Sequence, residues 1–359
     1  MNVSEITYSK IDKDKNSYLL KALREVVEET NAHDQESYKE ASWYWQYKNL
    51  PSKEALVYVA SINQAVIGYY HIPVYNFIIN NKNYRIGNVQ SVAILKKFRR
   101  KGIFEKLSIF ANQDAQRQLD LIYTFPNNKS IHTFIEYNDY KFIETLPTYV
   151  FPINPKKLIN YKLKFPGDKF IGKLISFFLK LLNIKLNKNE IIEPLEIISD
   201  DNINLFHSFS NYYQAHLLRN IDFFNWKYLL SPKSKYQCFG LKINNDLMAS
   251  VIVKTDKMFS NKGLIIMDYA YKNLSDFKKL LSNLHYYANP KCEKELSFIL
   301  LCTMNRDIKN FATCGYIRIP NKYIPRKLNL LAKICNKDIK FNIKDKNSWL
   351  ITMSDWDVL

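Results

Sequence analysis

The stretch that decides the fold runs from Ile94 to Leu107 and reads ILKKFRRKGIFEKL. Five of the six residues from Lys96 to Lys101 are basic, and a glycine follows them. The residues before this run predict a strand, and apolar spacings of three and four after it predict a helix. A strand, a basic turn, a glycine and a helix can bind a diphosphate, because the first helical amides lack partners within the helix. A solvated charge run is the alternative interpretation.

Composition and net charge limit which classes of protein and partner the sequence is compatible with. The chain has 359 residues, 47% of them hydrophobic and 14% aromatic, which predicts a folded, soluble protein with two domains of ordinary size. The net charge of +18 is carried mostly by lysine, whereas arginine is the residue that reads base edges and binds phosphates in pairs of bonds. We therefore expect an anionic small-molecule partner and no nucleic acid.

The cysteines, the histidines and the apolar stretches of the sequence bear on metal binding and on cellular location. Five cysteines without paired spacing predict reduced thiols, and six histidines show no metal-ligand spacing. The first residues lack the apolar core of a signal peptide, and no apolar stretch reaches the roughly 18–20 residues of a spanning helix. We expect a cytoplasmic protein without a metal or a transmembrane segment.

The two halves of the chain repeat one pattern at an offset of 181 residues. The repeated pairs are Trp45 and Trp226, Tyr47 and Tyr228, Pro51 and Pro232, and Asn63 and Asn244. Within the first half, patterns of strand and helix alternate, including a helix from about Gly102 and a strand over 141–150. The fold class predicted is α/β with mixed sheets.

We predict domains at 1–151 and 195–359, joined by a basic helical linker at 152–194. The linker contains the sequence FIGKLISFFLKLLNIKL, which predicts a basic amphipathic helix. That helix packs on the body of the protein or, in the minority interpretation, lies on a membrane surface.

The segment VQSVAILKKFRRKGIFEKL, residues 89–107, closely resembles the acyl-CoA-binding signature of the GCN5-related N-acetyltransferase (GNAT) superfamily. In that signature, Arg/Gln-x-x-Gly-x-Gly/Ala follows the fourth strand. Arg99, Gly102 and Phe104 occupy the three places, with Phe104 where a small residue is usual. The resemblance implies two tandem GNAT-like domains. The second is degenerate, because YAYKNLSDFKKLL has neither a basic cluster nor a glycine.

The resemblance also implies a co-substrate, acyl-CoA, with an acetyl or 3-hydroxybutanoyl group. Backbone groups of Val92 and Ile94 are expected to bond to the pantetheine arm, and Asn127 to contact it. Ser130 stands where the family has an alanine. The residues expected at the pyrophosphate are Arg99, Arg100, Lys101, Gly102, Ile103 and Phe104.

Two residues are candidates for proton transfer. Many relatives use a tyrosine as the acid, at the position of Phe134 in this chain. Tyr137, three residues on, is the substitute that we predict, and a core aromatic is the alternative. His71 is the candidate base, and a hydrogen-bonded structural histidine is its alternative.

The acceptor is inferred from further resemblance. The Trp-x-Tyr-x-x-x-Pro stretches and the C-terminal WLITMSDWDVL resemble tandem acyltransferases of bacterial surface-polysaccharide pathways, the class that includes lipopolysaccharide O-antigen. This implies a nucleotide-linked amino sugar of the dTDP-3-amino-3,6-dideoxyhexose type. The predicted acceptor contacts are Gln90, Trp45, Arg219 and Asp355. Alternatively, Arg219 pairs with Asp222, and Asp355 is a solvated tail carboxylate.

Other functions remain open at this stage. One is transfer to another small amine or to an aminoacyl or peptide acceptor. Another is a non-catalytic module that binds coenzyme A. A homodimer is also left open. A serine hydrolase has little support, since the chain contains no Gly-x-Ser-x-Gly motif.

Overall fold

A computed structural model describes residues 5–12, 22–23, 25–27, 29, 40–154, 185–232, 235–258, 261–287, 296–324 and 326–356. The described strands form two sheets, one of ten strands and one of seven. Each sheet contains both parallel and antiparallel pairs, so the predicted mixed α/β class is confirmed. The predicted linker helix falls almost wholly on 155–184, outside the described residues.

The first half of the chain contains eight described strands and three described helices. The strands are β1 (Thr7–Lys10), β2 (Ala55–Ile62), β3 (Ala65–Ile79), β4 (Lys82–Val89), β5 (Val92–Ile94), β6 (Leu121–Thr124), β7 (Lys141–Thr145) and β8 (Thr148–Pro152). The helices are α1 (Glu40–Tyr47), α2 (Ile103–Ala115) and α3 (Ile131–Asn138), and a 3₁₀ turn spans Lys96–Phe98.

The second half contains nine described strands. They are β9 (Glu190–Leu195), β10 (Ala215–Leu217), β11 (Tyr236–Ile243), β12 (Asp246–Met258), β13 (Asn261–Tyr271), β14 (Phe298–Cys302), β15 (Ile317–Ile319), β16 (Asn329–Ile334) and β17 (Trp349–Leu350). Its helices are α4 (Asp200–Ser210), α5 (Ile221–Phe224), which continues as a π turn over Asn225–Leu229, and α6 (Leu274–Tyr287). Short 3₁₀ turns lie at Ile308–Cys314, Asn321–Tyr323, Lys346–Ser348 and Met353–Asp355.

The backbone repeats at the offset found in the sequence. Hairpin β2–β3 turns through two residues of positive φ, at 63 and 64, and hairpin β11–β12 does the same at 244 and 245. Two-residue turns of this kind match the twist of a hairpin. Each hairpin also has a register irregularity, at 60/61 and at 241/242. The repeat is therefore structural as well as compositional.

Each half contributes to the sheet of the other, and besides β16 the second half places β10 and β17 in the first sheet. In the first sheet, β16 lies between β6 and β7, antiparallel to both. In the second sheet, β8 lies between β14 and β15, again antiparallel to both. The strand predicted over 141–150 is therefore wrong as one element, because it breaks at 146–147 and its two parts enter different sheets.

Candidate functional site

A gap opens in the first sheet where β4 ends. Strands β4 and β6 run parallel and are paired as far as Val89 and Thr124. Beyond Val89 the chain continues as β5, which pairs with β3 alone among the described strands. The cause is a bulge opposite His71, whose N–H donates to the Ser91 carbonyl and whose carbonyl accepts from the Gln90 N–H. An extra residue on one strand bends that strand, and here it turns β5 away from β6.

The outer edge of β5 carries backbone groups that pair with no described strand. The Ser91 carbonyl and the Leu95 N–H bond to β3, so the odd-numbered residues between them face that strand. Because hydrogen-bonding direction alternates along an antiparallel pair, Val92 and Ile94 face the gap. The Ile94 carbonyl accepts from Arg99 Nε at 2.8 Å. The gap therefore borders a short strand edge at the two residues that the sequence assigned to pantetheine.

The basic turn lies directly beyond this edge. Arg99, Arg100 and Lys101 are all exposed. Arg100 has a φ of 64° and Gly102 a φ of 71°, so the chain turns sharply before α2. A Cβ built on Gly102 would have no atom within 4 Å, so the glycine is explained by its left-handed backbone and not by crowding.

Helix α2 presents its first amides to the same region. Gly102 is its N-cap, and no side chain caps that end. The first bond within the helix runs from the Lys106 N–H to the Gly102 carbonyl at 3.1 Å, which leaves the N–H groups of Ile103, Phe104 and Glu105 without helical partners. Three cations and a helix N-terminus attract an anion, and only Glu105 opposes it in the first turn.

The corresponding region of the second half has the opposite chemistry. Helix α6 follows Asn273, whose Oδ1 accepts from the Asp276 N–H at 3.0 Å and from the Ser275 hydroxyl. The first turn thus has an internal cap and a buried acid, Asp276, which repels phosphate. Beyond the paired part of β13 and β14, Tyr269 and Thr303 share a hydrogen bond of 2.8 Å and occupy the space between the strands. The second copy is accordingly degenerate.

Two of the departures from the GNAT pattern, Phe104 and Phe134, contact each other. The rings of Phe104 and Phe134 lie 6.4 Å apart, and Phe134 also packs edge-on against Tyr140. Phe134 is 1% exposed, whereas Tyr137 is 46% exposed. The core-aromatic alternative for Tyr137 is therefore wrong. A catalytic role for Tyr137 stays a prediction that this exposure does not favour.

Asn127 and Ser130 form the turn that starts α3. Asn127 Oδ1 accepts from the backbone N–H groups of Lys129 at 2.8 Å and Ser130 at 3.1 Å. The Ser130 hydroxyl donates to the same Asn127 oxygen at 3.3 Å. Both residues lie at the end of β6, across the gap from β5, and their cofactor contacts stay predictions.

His71 is fully buried within β3. Its ring lies 4.9 Å from the ring of Tyr69, and burial lowers the pKa of His71 to about 3. An imidazole with this pKa is neutral at pH 7 and is a weak base. The backbone of His71 bonds to the bulge, and the assignment of its side chain as the base stays a prediction.

Arg219 and Asp355 belong to one buried ion network. Arg219 Nε lies 2.7 Å from Asp268 Oδ2, and Arg219 Nη2 lies 2.8 Å from Asp355 Oδ2. Burial acts to lower the pKa of Arg219, but the two carboxylates outweigh it and raise the pKa. Neither earlier alternative is correct, since Arg219 does not pair with Asp222 and Asp355 is only 2% exposed. Both side chains are occupied by each other.

Trp45 also has a structural environment. It is 3% exposed, and its ring stacks on Trp226 at a centroid distance of 4.8 Å. The predicted acceptor contact of Trp45 has no support from this geometry, because the ring lies in the junction between the halves. Gln90, in contrast, lies in the bulge beside β5 and remains an acceptor candidate.

Sequence reasoning missed Asn88 and Tyr123. They face each other as the last-but-one pair of β4 and β6 before the gap. Asn88 Nδ2 donates to the Asp355 backbone carbonyl at 3.0 Å, and the Tyr123 hydroxyl donates to it at 3.2 Å. The C-terminal turn at Met353–Asp355 thus docks beside the gap. The signal for Asn88, an amide two residues before Gln90, is too common to be found by sequence alone.

Within the part of the chain that the structure describes, no helix has both the length and the apolar character needed to cross a bilayer. In the same residues, no three His, Cys, Asp or Glu side chains are grouped to hold a metal ion.

No protein-family model and no curated protein matches the sequence. Solved structures do match. A GCN5-related N-acetyltransferase from Anabaena variabilis superposes with a TM-score of 0.60 at 9% identity, over 92% of this chain and 73% of that one. Saccharomyces cerevisiae N-myristoyltransferase with bound myristoyl-CoA has a TM-score of 0.58 at 13% identity, over 92% and 83%. A tandem GNAT protein from the clavulanic acid biosynthesis pathway has a TM-score of 0.57 at 9% identity, over 92% and 99%.

The chain therefore has the GNAT fold, present in two copies, as the sequence predicts. Its structural neighbours are N-acetyltransferases and N-myristoyltransferases, and one of them is solved with an acyl-CoA. At 9–13% identity the likeness concerns the fold and not the substrate.

Proposed function

We propose that the protein is an acyl-CoA-dependent N-acyltransferase. The observation that carries this proposal is the adjacency of three features. They are the edge of β5 that pairs with no described strand, the basic turn at 99–101, and the uncapped N-terminus of α2. A pantetheine arm is a chain of amides that can pair with a strand edge, and a pyrophosphate suits the helix end and its cations.

Different residues of the site contact the pyrophosphate, the pantetheine arm and the thioester of acyl-CoA. Arg99, Arg100 and Lys101 supply positive charge for the pyrophosphate, and the amides of Ile103 and Phe104 point toward it. Val92 and Ile94 hold the arm from the β5 side. Asn127 and Ser130 border it from the β6 side, and the Val92 N–H is suited to stabilise the oxyanion of the thioester.

The reaction balances without a metal or a redox partner. The lone pair of a neutral amine attacks the thioester carbonyl carbon, an amide bond forms, and the carbon–sulfur bond breaks. The amine loses one proton, and the coenzyme A thiolate takes up one. With His71 neutral and buried, solvent water is the simplest proton carrier at this site.

For the acceptor, we propose a nucleotide-linked amino sugar of the dTDP-3-amino-3,6-dideoxyhexose type, used for a bacterial surface polysaccharide such as an O-antigen. The support is the net charge of +18, which suits an acceptor that carries a diphosphate of its own. Trp45 and Trp226, from two of the stretches that suggested this acceptor, stack on each other between the halves, so charge carries the proposal. We place the reaction in the cytoplasm, in line with the free, reduced cysteines among the described residues.

A second candidate is transfer to the N-terminus of a peptide. It is favoured by the match to N-myristoyltransferase, which covers 83% of that chain. The two candidates differ in the amine and in the acyl chain, so one assay compares them. A module that binds coenzyme A without turnover is the third outcome.

The experiment is a thiol-release assay with acetyl-, 3-hydroxybutanoyl- and myristoyl-CoA. Each donor is tested with dTDP-amino sugars and with short peptides that have a free N-terminus. We expect release with an amino sugar and a short acyl chain. Thiol release with peptides alone would mean that the acceptor is a peptide and not an amino sugar. Binding of coenzyme A without thiol release from any donor and acceptor pair would contradict the proposal that the protein is an enzyme.

A further inference from the structure

Asn88 carries a buried oxygen that lacks a hydrogen-bond donor. The residue is 1% exposed. Its Nδ2 faces the backbone carbonyl of Asp355, which can only accept, so the orientation of the amide is determined by the network. Oδ1 is turned to the other side, where no described residue donates to it. A buried amide oxygen without a donor is unfavourable, and such atoms indicate a ligand or a water.

Gln90 repeats this arrangement two residues later. Its Oε1 is buried and also receives no hydrogen bond within the described part of the chain. Its Nε2 lies 3.4 Å from the Tyr75 hydroxyl. Tyr75 packs 6.0 Å from Trp226 of the second half, and Asn88 bonds to Asp355 of that half. The two amides therefore lie on the same face of the sheet, toward the second half.

Asn88 and Gln90 lie next to the expected site of the thioester. Asn88 precedes the bulge, Gln90 is part of it, and Val92, the expected oxyanion donor, follows two residues later. The second half closes this face with the turn that ends at Asp355. That turn is held by Arg219 from one side and by Asn88 and Tyr123 from the other.

We propose that Asn88 Oδ1 and Gln90 Oε1 bind the N–H groups of the acceptor's amino group and direct its nitrogen toward the thioester carbon. The proposal rests on the proposed function and adds the residues that select an amine. Two acceptor oxygens match the donors of an ammonium or amine, whereas an alcohol offers one donor and a carboxylate offers none. Asp355, through its backbone carbonyl, is a positioning residue that keeps Asn88 oriented.

The kinetic test uses the amine found by thiol release and two variants. Asn88→Leu removes one oxygen at similar volume. Gln90→Met removes the other and leaves the bond to Asp355 intact, so it remains informative if Asn88→Leu folds poorly. We expect each variant to raise the KM for the amine about tenfold or more, while the Kd for acetyl-CoA changes less than about twofold.

Asn202 provides the matched control. It is fully buried in α4 of the second half, its Nδ2 donates to the Ile197 carbonyl at 2.7 Å, and its Oδ1 also lacks a donor among the described residues. We expect Asn202→Leu to lower thermal stability without a change in the KM for the amine. If Asn202→Leu and Gln90→Met alter that KM equally, or if Gln90→Met does not alter it, the proposal is overturned while the acyltransferase activity stands.

A second measurement needs no turnover, so it separates this proposal from the proposed function. The side-chain amide signal of Asn88, identified by its loss in Asn88→Leu, is followed by NMR in the complex with coenzyme A. Methylammonium chloride is the probe, and tetramethylammonium chloride, which has the same charge and no N–H group, is the control. We expect a saturable shift with methylammonium alone. Equal shifts with both cations, or no shift, would overturn the proposal.

Discussion

Trp45 and Trp226 bind each other in the same way in both directions. Each indole N–H donates to the backbone carbonyl of the other residue, at 2.7 Å from Trp45 and 2.9 Å from Trp226, and the stacked rings are inclined by only 15°. The two residues are the same position of the repeat, 181 residues apart. Their contact is therefore reciprocal between equivalent positions of the two halves.

The tryptophan pair is expected to couple the halves energetically. Truncation of Trp45 to alanine should lower the free energy of unfolding by about 3–5 kcal/mol, because it removes a large buried ring. In a double-mutant cycle with Trp226→Ala, we expect a coupling of about 1–3 kcal/mol from the stack and the reciprocal bonds. Tyr44→Ala, at an exposed neighbouring position, should change the stability by less than about 0.5 kcal/mol. Additive effects of the tryptophan variants in urea denaturation would contradict the coupling.

Arg219 is expected to be required for stability. Its replacement by methionine leaves Asp268 and Asp355 buried without a cation, which costs about 3–5 kcal/mol. The matched control is Arg85→Met, which breaks an exposed pair with Glu54 and should cost at most about 1 kcal/mol. Chemical denaturation measures the change in the free energy of unfolding for both variants. Equal decreases would mean that the buried network contributes no more to stability than the exposed pair.

The basic turn is expected to determine affinity for the donor. Arg99→Ala and Arg100→Ala should each raise the KM for acyl-CoA by roughly tenfold, because a charge-assisted bond contributes about 1.5–3 kcal/mol. The effect should shrink as ionic strength rises. Arg117→Ala, an exposed arginine just beyond the opposite end of α2, should leave the KM unchanged. If all three variants behave alike, the turn binds no phosphate.

Tyr137 provides a test of the proton donor. Its side chain is 46% exposed whereas Phe134 is buried, so we expect Tyr137→Phe to keep kcat within about twofold of the parent enzyme. The comparison variant is Phe134→Tyr, which places a hydroxyl among buried rings beside α2. A kcat lowered tenfold or more by Tyr137→Phe would restore the sequence-based assignment.

Buried histidines predict a loss of stability in acid. The pKa of His71 is lowered to about 3 and that of His216 to about 4, both chiefly by burial, whereas in the unfolded chain both are near 6.5. Below pH 6.5 the unfolded chain therefore binds protons that the folded chain does not. The free energy of unfolding should fall by up to about 1.4 kcal/mol per pH unit for each residue until the folded pKa is reached.

Urea denaturation between pH 7.5 and 4.5 measures this dependence. His71→Phe should flatten the curve, and His132→Ala, at an exposed position, should not. A stability that does not change with pH in the parent protein would mean that these imidazoles are accessible to protons in the folded state.

Local chemistry made much of the fold predictable. The strand, basic turn and helix around Gly102 follow from spacing and charge, and the repeat follows from matched aromatic residues. Contacts between distant segments were not predictable in this way. The residues next to Asp355 in the sequence do not reveal its partner, because Arg219 precedes it by 136 residues.

Trp45 illustrates the same difficulty. An aromatic residue beside a predicted cleft is as consistent with ligand contact as with an interface, and only the fold decides between them. The divided strand at 146–147 has a similar cause. Its apolar pattern is right for a strand on both sides, and the choice of sheet depends on β14 and β16, which are distant in sequence.

The exchange of β8 and β16 has a consequence for biosynthesis. While the protein is being translated, the slot between β6 and β7 stays open until residue 334 has left the ribosome, because β16 begins 184 residues after β7 ends (329 − 145) and 205 after β6 ends (329 − 124). Open strand edges can pair with other chains. We therefore expect chaperones to shield the nascent polypeptide during that interval. We expect that neither copy folds alone, because each sheet would lack the strand that the other half supplies, β16 in the first sheet and β8 in the second.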